Sequence, residues 1–463
     1  MTYDLQSRWK TEGNLLRYYG LRNRPELFKN SVRLTQKQKS IIYRLPCALT
    51  DAELRTLKNL IGVQVVPAEQ KKVVPASLAE ARFCKTCAAN DFMIPGIEFD
   101  AEGKCPICQS VERTQKLRSV VPVMNAFPVS KKSRFDIAVF YTGGKDSTYL
   151  LYYLSKVQGL RVLALTWEIP YMSDSARQSI ENAKEKLSSV EFISRRVSND
   201  DLRKIYGKLY ALSENTCACP SLAYVLFYPE LVANRVPYFV AGNEPAQLLG
   251  LYFNHMAPEM AYTISQSKAL DAVVNVGRVL TLHPPLKKGQ FHTLATMKQL
   301  AYGDNIFKNL AGYANPLVSN VCEAIKEVPH ILEPLKRAIR ASSWSGNIPA
   351  FIQVDFDQIC GGVYEWKKIK ETIVRECGWV APEETDKGLH TSCKIEKCKE
   401  HSQFVRFYHM RSTMIPFSAL EMAIASRNKN ISREEAMAEI NASLGFSLEE
   451  IPECAVMRGY LKP

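Results

Sequence analysis

The sequence predicts an α/β protein: a parallel-sheet nucleotide-binding domain, with a cysteine ribbon ahead of it and a mainly helical region behind it. Three observations predict this. From residue 135 short apolar runs alternate with helix-period segments, the pattern of βαβ units. The first apolar run ends in Thr142-Gly-Gly-Lys-Asp-Ser147, a glycine turn leading into a helix. Upstream, two C-x-x-C pairs stand at the spacing of a metal ribbon.

Each element can be justified in order. Residues 1–82 read as a basic, mixed extension with a helix pattern over Asp51–Ile61 (Leu54, Leu57, Leu60, Ile61). Residues 83–112 form the ribbon, and 115–134 read as a linker with Pro122, Pro128 and Ser130-Lys-Lys-Ser133. The α/β domain covers 134–254. Its strands are expected at Ile137–Tyr141, Leu160–Trp167, Val190–Arg196 and Val236–Ala241, and its helices at Ser147–Gln158 and Ser175–Leu187. Residues 255–463 read as mainly helical, with a loop and extended segment at Trp344–Asp357 and helices near 416–428 and 432–443. No internal repeat or low-complexity tract interrupts the chain.

Composition sets the class. The chain has 463 residues, 46% apolar and 23% charged, enough for two or three domains with proper cores. It has no apolar run long enough to span a membrane and no secretory pattern at its start, so the expected place is the cytoplasm. A net charge of +13 favours an anionic partner, but the basic residues are dispersed and suit an ordinary basic surface equally well. Thirteen cysteines, an odd number without an export signal, argue against a disulfide framework and for metal or thiol chemistry.

The glycine turn carries the first functional reading. At the carboxyl end of a strand, glycines let backbone N–H groups approach an anion, and the next helix points its positive end there. Gly143 and Gly144 supply the turn, Lys145 adds charge, and Ser147 and Thr148 add hydroxyls. The pattern is neither a Walker A loop nor G-x-G-x-x-G. A bare turn without a ligand is the alternative.

The cysteines carry the second. Cys84-Lys-Thr-Cys87 and Cys105-Pro-Ile-Cys108 are separated by 17 residues, with Pro95-Gly-Ile-Glu-Phe-Asp100 and Gly103 suited to a hairpin between them. Four protein thiolates make a closed, structural Zn²⁺ site. An iron–sulfur cluster or a redox dithiol remains the alternative.

Thr142-Gly-Gly-Lys-Asp-Ser147 resembles the S-G-G-x-D-S loop of the PP-loop ATP pyrophosphatases, a HUP-like fold of the adenine nucleotide alpha hydrolase type, with Thr142 where serine is usual. "FCKTCAANDFMIPGIEFDAEGKCPIC" (83–108) resembles the amino-terminal signature of the N-acetyl sugar amidotransferase family within that superfamily. "VPYFVAGNEPAQLLG" (236–250), "YEWKKIKETIVRECGW" (364–379) and "NISREEAMAEI" (430–440) follow in the family's order, although Gly-Asn-Glu replaces its Gly-Glu-Asn turn. The likeness runs from about 83 to 463 and leaves 1–82 outside it.

The resemblance implies an ATP-dependent, AMP- and pyrophosphate-forming transferase. It would adenylate the acetamido (carboxamide) oxygen of a nucleotide-linked sugar and replace it with nitrogen, in surface polysaccharide (O-antigen or LPS-type) biosynthesis. Ammonia would come from a separate glutaminase subunit. Thr142, Gly143, Gly144, Asp146 and Ser147 would hold the pyrophosphate part of ATP, with Mg²⁺ beside it. Thr166 and Trp167 would lie near the adenine, and Gly242, Asn243 and Glu244 would face the same cleft. Lys145, Asp146, Ser147 and Glu244 are the candidate catalytic groups; a helix cap suits Asp146 as well, and a solvent-facing loop carboxylate suits Glu244 as well.

A second class stays open: PP-loop sulfur transfer, to tRNA or a small molecule, using Cys217 and Cys219 or a cluster. Nucleic acid is a partner only there. A third is a non-catalytic nucleotide-binding scaffold. Cys393, Cys398, His401 and His409 form a loose cluster that fits either a metal or unrelated packing.

Overall fold

A computed structural model describes residues 1–22, 31–72, 74–112, 123–129, 132–213, 218–244, 246–247, 250, 268–303, 316–382 and 392–444. The chain divides into two compact units, Met1–Glu112 with Gln403–Glu450, and Arg113–Ser402 with Ile451–Pro463.

In the first unit, residues 1–67 hold more structure than the single expected helix. Strands β1 (Thr2–Leu5), β2 (Trp9–Glu12), β3 (Leu15–Tyr18), β4 (Ser31–Arg33), β5 (Cys47–Ala48) and β6 (Val65–Pro67) form two three-stranded sheets, ordered β5-β1-β6 and β2-β3-β4. Helices Gln36–Ile42 and Asp51–Thr56 begin with capping boxes, Thr35 with Gln38 and Thr50 with Glu53. Trp9, Leu16, Tyr18, Leu34, Ile41, Leu57 and Val65 close a small core. The expected helix at 51–61 therefore stops at Thr56, and Leu57 and Leu60 reach the core from the turn beyond it.

The second unit is built on a five-stranded parallel sheet, β7 (Ile137–Phe140), β8 (Val162–Trp167), β9 (Val190–Arg195), β10 (Tyr238–Ala241) and β11 (Ala350–Phe351), in the order β11-β10-β7-β8-β9. The four expected strands are present, and β11 is a fifth, taken from the segment expected to be loop and extended chain. Side chains alternate across the sheet, so Ala138, Leu163, Leu165 and Phe239 enter one core while Ile137, Val139, Val162 and Val240 enter the other. Helices Cys219–Ala233, Gln290–Tyr302 and Pro329–Ser345 contribute to the first, and Lys145–Tyr152, Asp174–Lys186 and Trp366–Cys377 to the second. The helix expected at 147–158 starts two residues earlier and changes to a π-helical turn at Tyr153–Val157.

The order of pairing places the site. The chain moves from β7 outward to β8 and β9, then returns to lay β10 against the other side of β7. The sheet reverses direction between β7 and β10, and ligands of open α/β sheets bind at such a reversal, outside the carboxyl ends.

Candidate functional site

Two segments meet at that reversal: 142–147, which leaves β7, and 242–244, which leaves β10. Gly143 is held at φ +73°, where a side chain is strained, and a Cβ there would stand 2.4 Å from the Ala176 carbonyl oxygen. Gly242 has no unusual φ but needs to be small, since a Cβ would lie 2.6 Å from the Ser147 nitrogen. The two glycines let three backbone segments approach one point. Trp379 fixes the turn from outside by donating its indole N–H to the Gly143 carbonyl at 3.1 Å.

The helix that follows is capped by the backbone of Gly144, without a side-chain hydrogen bond to its amides. This corrects the capping reading for Asp146, which sits inside the first turn and pairs with Lys145. The hydroxyls tie the loop to itself. Thr142 Oγ1 and Ser147 Oγ are 3.2 Å apart, the Thr142 N–H donates to Ser147 Oγ at 3.3 Å, and the Gly144 N–H donates to Thr142 Oγ1 at 3.4 Å. Ser147 and Thr148 both donate to the Gly144 carbonyl, at 3.1 and 2.8 Å. The Thr142 hydroxyl thus joins the two ends of the loop.

Lys145 is the centre of the charge arrangement. Its ammonium pairs with Asp146, donates to the Tyr364 hydroxyl at 2.5 Å, and lies 3.7 Å from Glu244 Oε2. The rings of Tyr364 and Trp366 stand 4.6 and 4.8 Å from it. Glu244 is 2% exposed, so the reading of a solvent-facing loop carboxylate is replaced by a buried one.

The other expected residues are placed as follows. Thr166 is buried at the end of β8 and donates to the Tyr141 carbonyl at 3.0 Å, which ties β8 to β7. Beside it the buried indole N–H of Trp167 has no hydrogen-bond partner among the described residues. Asn243 is half-buried, its N–H turned back to the Ala241 carbonyl at 2.8 Å. Cys217 lies outside the described residues. Cys219 begins its helix with its sulfur 3.1 Å from the Tyr171 hydroxyl and 3.6 Å from that of Tyr206. Burial, then Cys219, holds the Tyr171 phenol well above its ordinary pKa.

The segment around Cys393 bridges to Met172, and the Cys393 thiol donates to Glu396 at 3.1 Å. The side chains of Cys398 and His401 lie outside the described residues, and His409 is exposed in the other unit. The described residues do not bring this loose cluster together as a metal site.

Sequence reading assigned no role to Tyr364, Trp366 and Trp379, which arrive from more than two hundred residues downstream. They fall inside the stretch 364–379, and an aromatic pair just ahead of a helix was the available signal. Gln353 was missed as well. It follows β11, is 3% exposed, and both polar atoms of its side chain lack partners among the described residues.

In the first unit Cys84, Cys87, Cys105 and Cys108 come together with all four sulfurs within 4.8 Å of one another, 0–2% exposed. The Cys84–Cys108 and Cys87–Cys105 sulfurs are 3.9 and 3.6 Å apart. A tetrahedral ion with ligands at about 2.3 Å needs sulfurs about 3.8 Å apart, so the cluster fits one metal ion. Backbone N–H groups of Thr86, Ala89, Cys105 and Cys108 point at the sulfurs at 3.3–3.5 Å, which favours thiolates. Hydrogen bonds with Cys105, Cys108 and Cys87 pull the Cys84 thiol down, while those with Cys105, Cys108 and Cys84 push Cys87 up. The last helices clasp the ribbon: the Ala88 N–H donates to Ser426 Oγ at 2.9 Å, and Arg433 donates to the Cys84 and Cys87 carbonyls at 2.8 and 3.2 Å. The Ser432–Glu435 capping box starts that helix, with bonds of 2.7 and 3.0 Å.

The fold and site define an α/β protein with a glycine loop at a sheet reversal and a cluster of four cysteines arranged to hold one metal ion. No family model matches the sequence, and no curated protein matches it. Among solved structures the chain is similar to the U34-tRNA thiolase NcsA from Methanococcus maripaludis with its 4Fe-4S cluster, at 14% identity and a TM-score of 0.22, over 57% of this chain and 86% of that one. A likeness this distant carries no functional argument. No helix among the described residues is long and apolar enough to cross a membrane.

Proposed function

We propose that the protein is an ATP pyrophosphatase-type transferase of the PP-loop class. One observation carries the reading: the glycine loop stands at the reversal between β7 and β10, where Gly242 packs closely against the backbone of Ser147. The first-turn amides of the helix, which carry no side-chain cap, would face the triphosphate, and the Trp167 N–H, without a partner among the described residues, suits a ring nitrogen of adenine. Asp146 and Glu244 both lie beside the Lys145 ammonium. Their negative charge repels bare triphosphate and suits one that arrives with Mg²⁺.

The reaction is adenylation. An acceptor carbonyl oxygen bonds to the α-phosphorus as pyrophosphate leaves. Ammonia then forms the new C–N bond as the C–O bond to AMP breaks, and a proton is released to water. Positioning and charge supply most of the acceleration. Lys145 fixes the loop and offsets phosphate charge, and Glu244 orients the acceptor.

The acceptor reading that fits best is a carboxamide, the acetamido group of a nucleotide-linked sugar, with ammonia from a separate glutaminase. The ordered resemblance from 83 to 463 supports it. The cysteine cluster would hold structural zinc. Sulfur transfer is the second reading, favoured by Cys219, whose sulfur sits against two tyrosine hydroxyls.

The test is formation of AMP and pyrophosphate with acetamido nucleotide-sugars and ammonium chloride, which replaces a partner subunit. Acceptor-dependent pyrophosphate supports nitrogen transfer. Iron with acid-labile sulfide in anaerobic protein, and turnover only with a sulfur donor, would replace it with the second reading.

A further inference from the structure

Apart from the glycine loop, the second unit holds a cavity of about 410 Å³, lined by His283, Lys298, Tyr302, Arg340, Ser343 and Trp344 around Ile339. That volume lies within the range of small-ligand sites. Ser343 and Trp344 lead into the amino end of β11, whereas the glycine loop stands at the carboxyl ends. The two sites are therefore distinct.

The lining has two parts. One is aromatic: Trp344 is 57% exposed and Tyr302 41%, and the His283 ring stacks on Trp344 at 4.4 Å and 30°. His283 covers part of the indole and leaves the rest to the cavity. Isolated exposed apolar residues need no explanation, but an indole backed by a stacked ring at the wall of a cavity is a platform for another ring. The other part is cationic: Lys298 and Arg340 line the cavity, and neither has an ion-pair partner among the described residues.

Among the described residues no carboxylate lines the cavity. Glu333, two turns before Arg340, is held by Lys336 at 2.8 Å. Arg278, behind the wall, is held by the Ser343 and Pro284 carbonyls at 3.0 and 2.8 Å. Burial and then Arg278 push the Lys298 ammonium below its ordinary pKa, a strain that an anion would relieve.

We propose that this cavity is a second nucleotide-unit site, which stacks a base on Trp344 and holds its phosphate between Lys298 and Arg340. The same chemistry is offered by a free nucleotide and by one residue of an RNA strand, where base stacking and phosphate contact also combine. The proposal does not depend on the reading of the glycine loop.

The test is tryptophan fluorescence of the full chain, with Trp344→Phe to isolate the Trp344 signal. AMP and UMP are titrated, with adenosine and inorganic phosphate as the half-ligands and a short oligoadenylate RNA as the polymer. The expected result is saturable quenching by AMP and UMP that Trp344→Phe removes, with adenosine and phosphate at least tenfold weaker. Lys298→Met with Arg340→Met should weaken AMP at least tenfold. Arg340→Glu alone, at an exposed position, should weaken it without disturbing the circular dichroism spectrum. Oligoadenylate more than tenfold tighter than AMP assigns the source to RNA, and equal affinity assigns it to free nucleotide. Absent quenching, adenosine as tight as AMP, or full affinity in folded Arg340→Glu and the double variant would overturn the proposal.

Discussion

The cysteine cluster and the glycine loop are both places where distant segments converge on a small volume, and they are built in opposite ways. At the cluster the convergence is finished by the protein: four sulfurs, each buried, leave room for one ion and no coordination position for anything else. At the loop the convergence is left open. Glycines bring backbone close, the helix start carries no side-chain cap, and Trp167 keeps an indole N–H without a partner among the described residues. A closed set of donors holds a fold, and an unfinished one waits for a ligand. Removing a group should therefore cost stability at the first and binding at the second.

The largest effect is expected at the cluster. Cys105→Ser should drop metal content from about one ion per chain to a small fraction and unfold the first unit, since structural zinc supplies about 10 kcal/mol or more of folding free energy. Elemental analysis and near-ultraviolet circular dichroism read this; a normal spectrum without metal would remove the structural role.

Next comes Gly143→Ala. Its Cβ meets the Ala176 carbonyl at 2.4 Å and strains a positive φ, so the loop must move. ATP affinity should fall by about a hundredfold, for a stability loss of about 1–3 kcal/mol. Lys145→Met should follow, with ATP affinity down about tenfold to a hundredfold, as Asp146 and Glu244 lose their shared cation. Equal ATP binding in this variant would show that the ammonium serves the fold alone.

The smallest effect is a pH dependence. His292 packs on Phe351 at 6.0 Å, its Nδ1 has no partner among the described residues, and burial pushes its pKa down to about 4. The folded pKa is below the unfolded value of 6.5, so neutral His292 stabilises the fold above that pH. The contribution is lost as pH falls from 6.5 towards 4. His292→Phe should flatten the fall of Tm over that window by a few degrees.

What could be read from the sequence follows the same division. The strands that built the sheet were visible because they are continuous apolar runs, as in Val162–Trp167, where every residue is buried. Loop and cluster were visible because each is written in short spacings of glycine or cysteine. β11 was not, because two residues carry no period and pair only through a partner strand far away in sequence. The small sheets of residues 1–67 were hidden by charge: Trp9-Lys-Thr-Glu12 and Leu15-Leu-Arg-Tyr18 are four residues long and half-exposed, and only the apolar spacing of Leu54, Leu57, Leu60 and Ile61 announced structure there. Tyr364, Trp366 and Trp379 surround the loop by tertiary packing, which no local pattern records.

The most direct test of the central claim is a calorimetric titration of MgATP into the wild-type chain and into Gly242→Val. A Cβ at 242 would meet the Ser147 backbone at 2.6 Å, so the substitution displaces the loop and leaves the cysteine cluster untouched. One ATP per chain for the wild type, and at least tenfold weaker binding in a folded, metal-replete Gly242→Val, is the predicted result. No ATP binding by the wild type, or undiminished binding by the variant, would contradict the account.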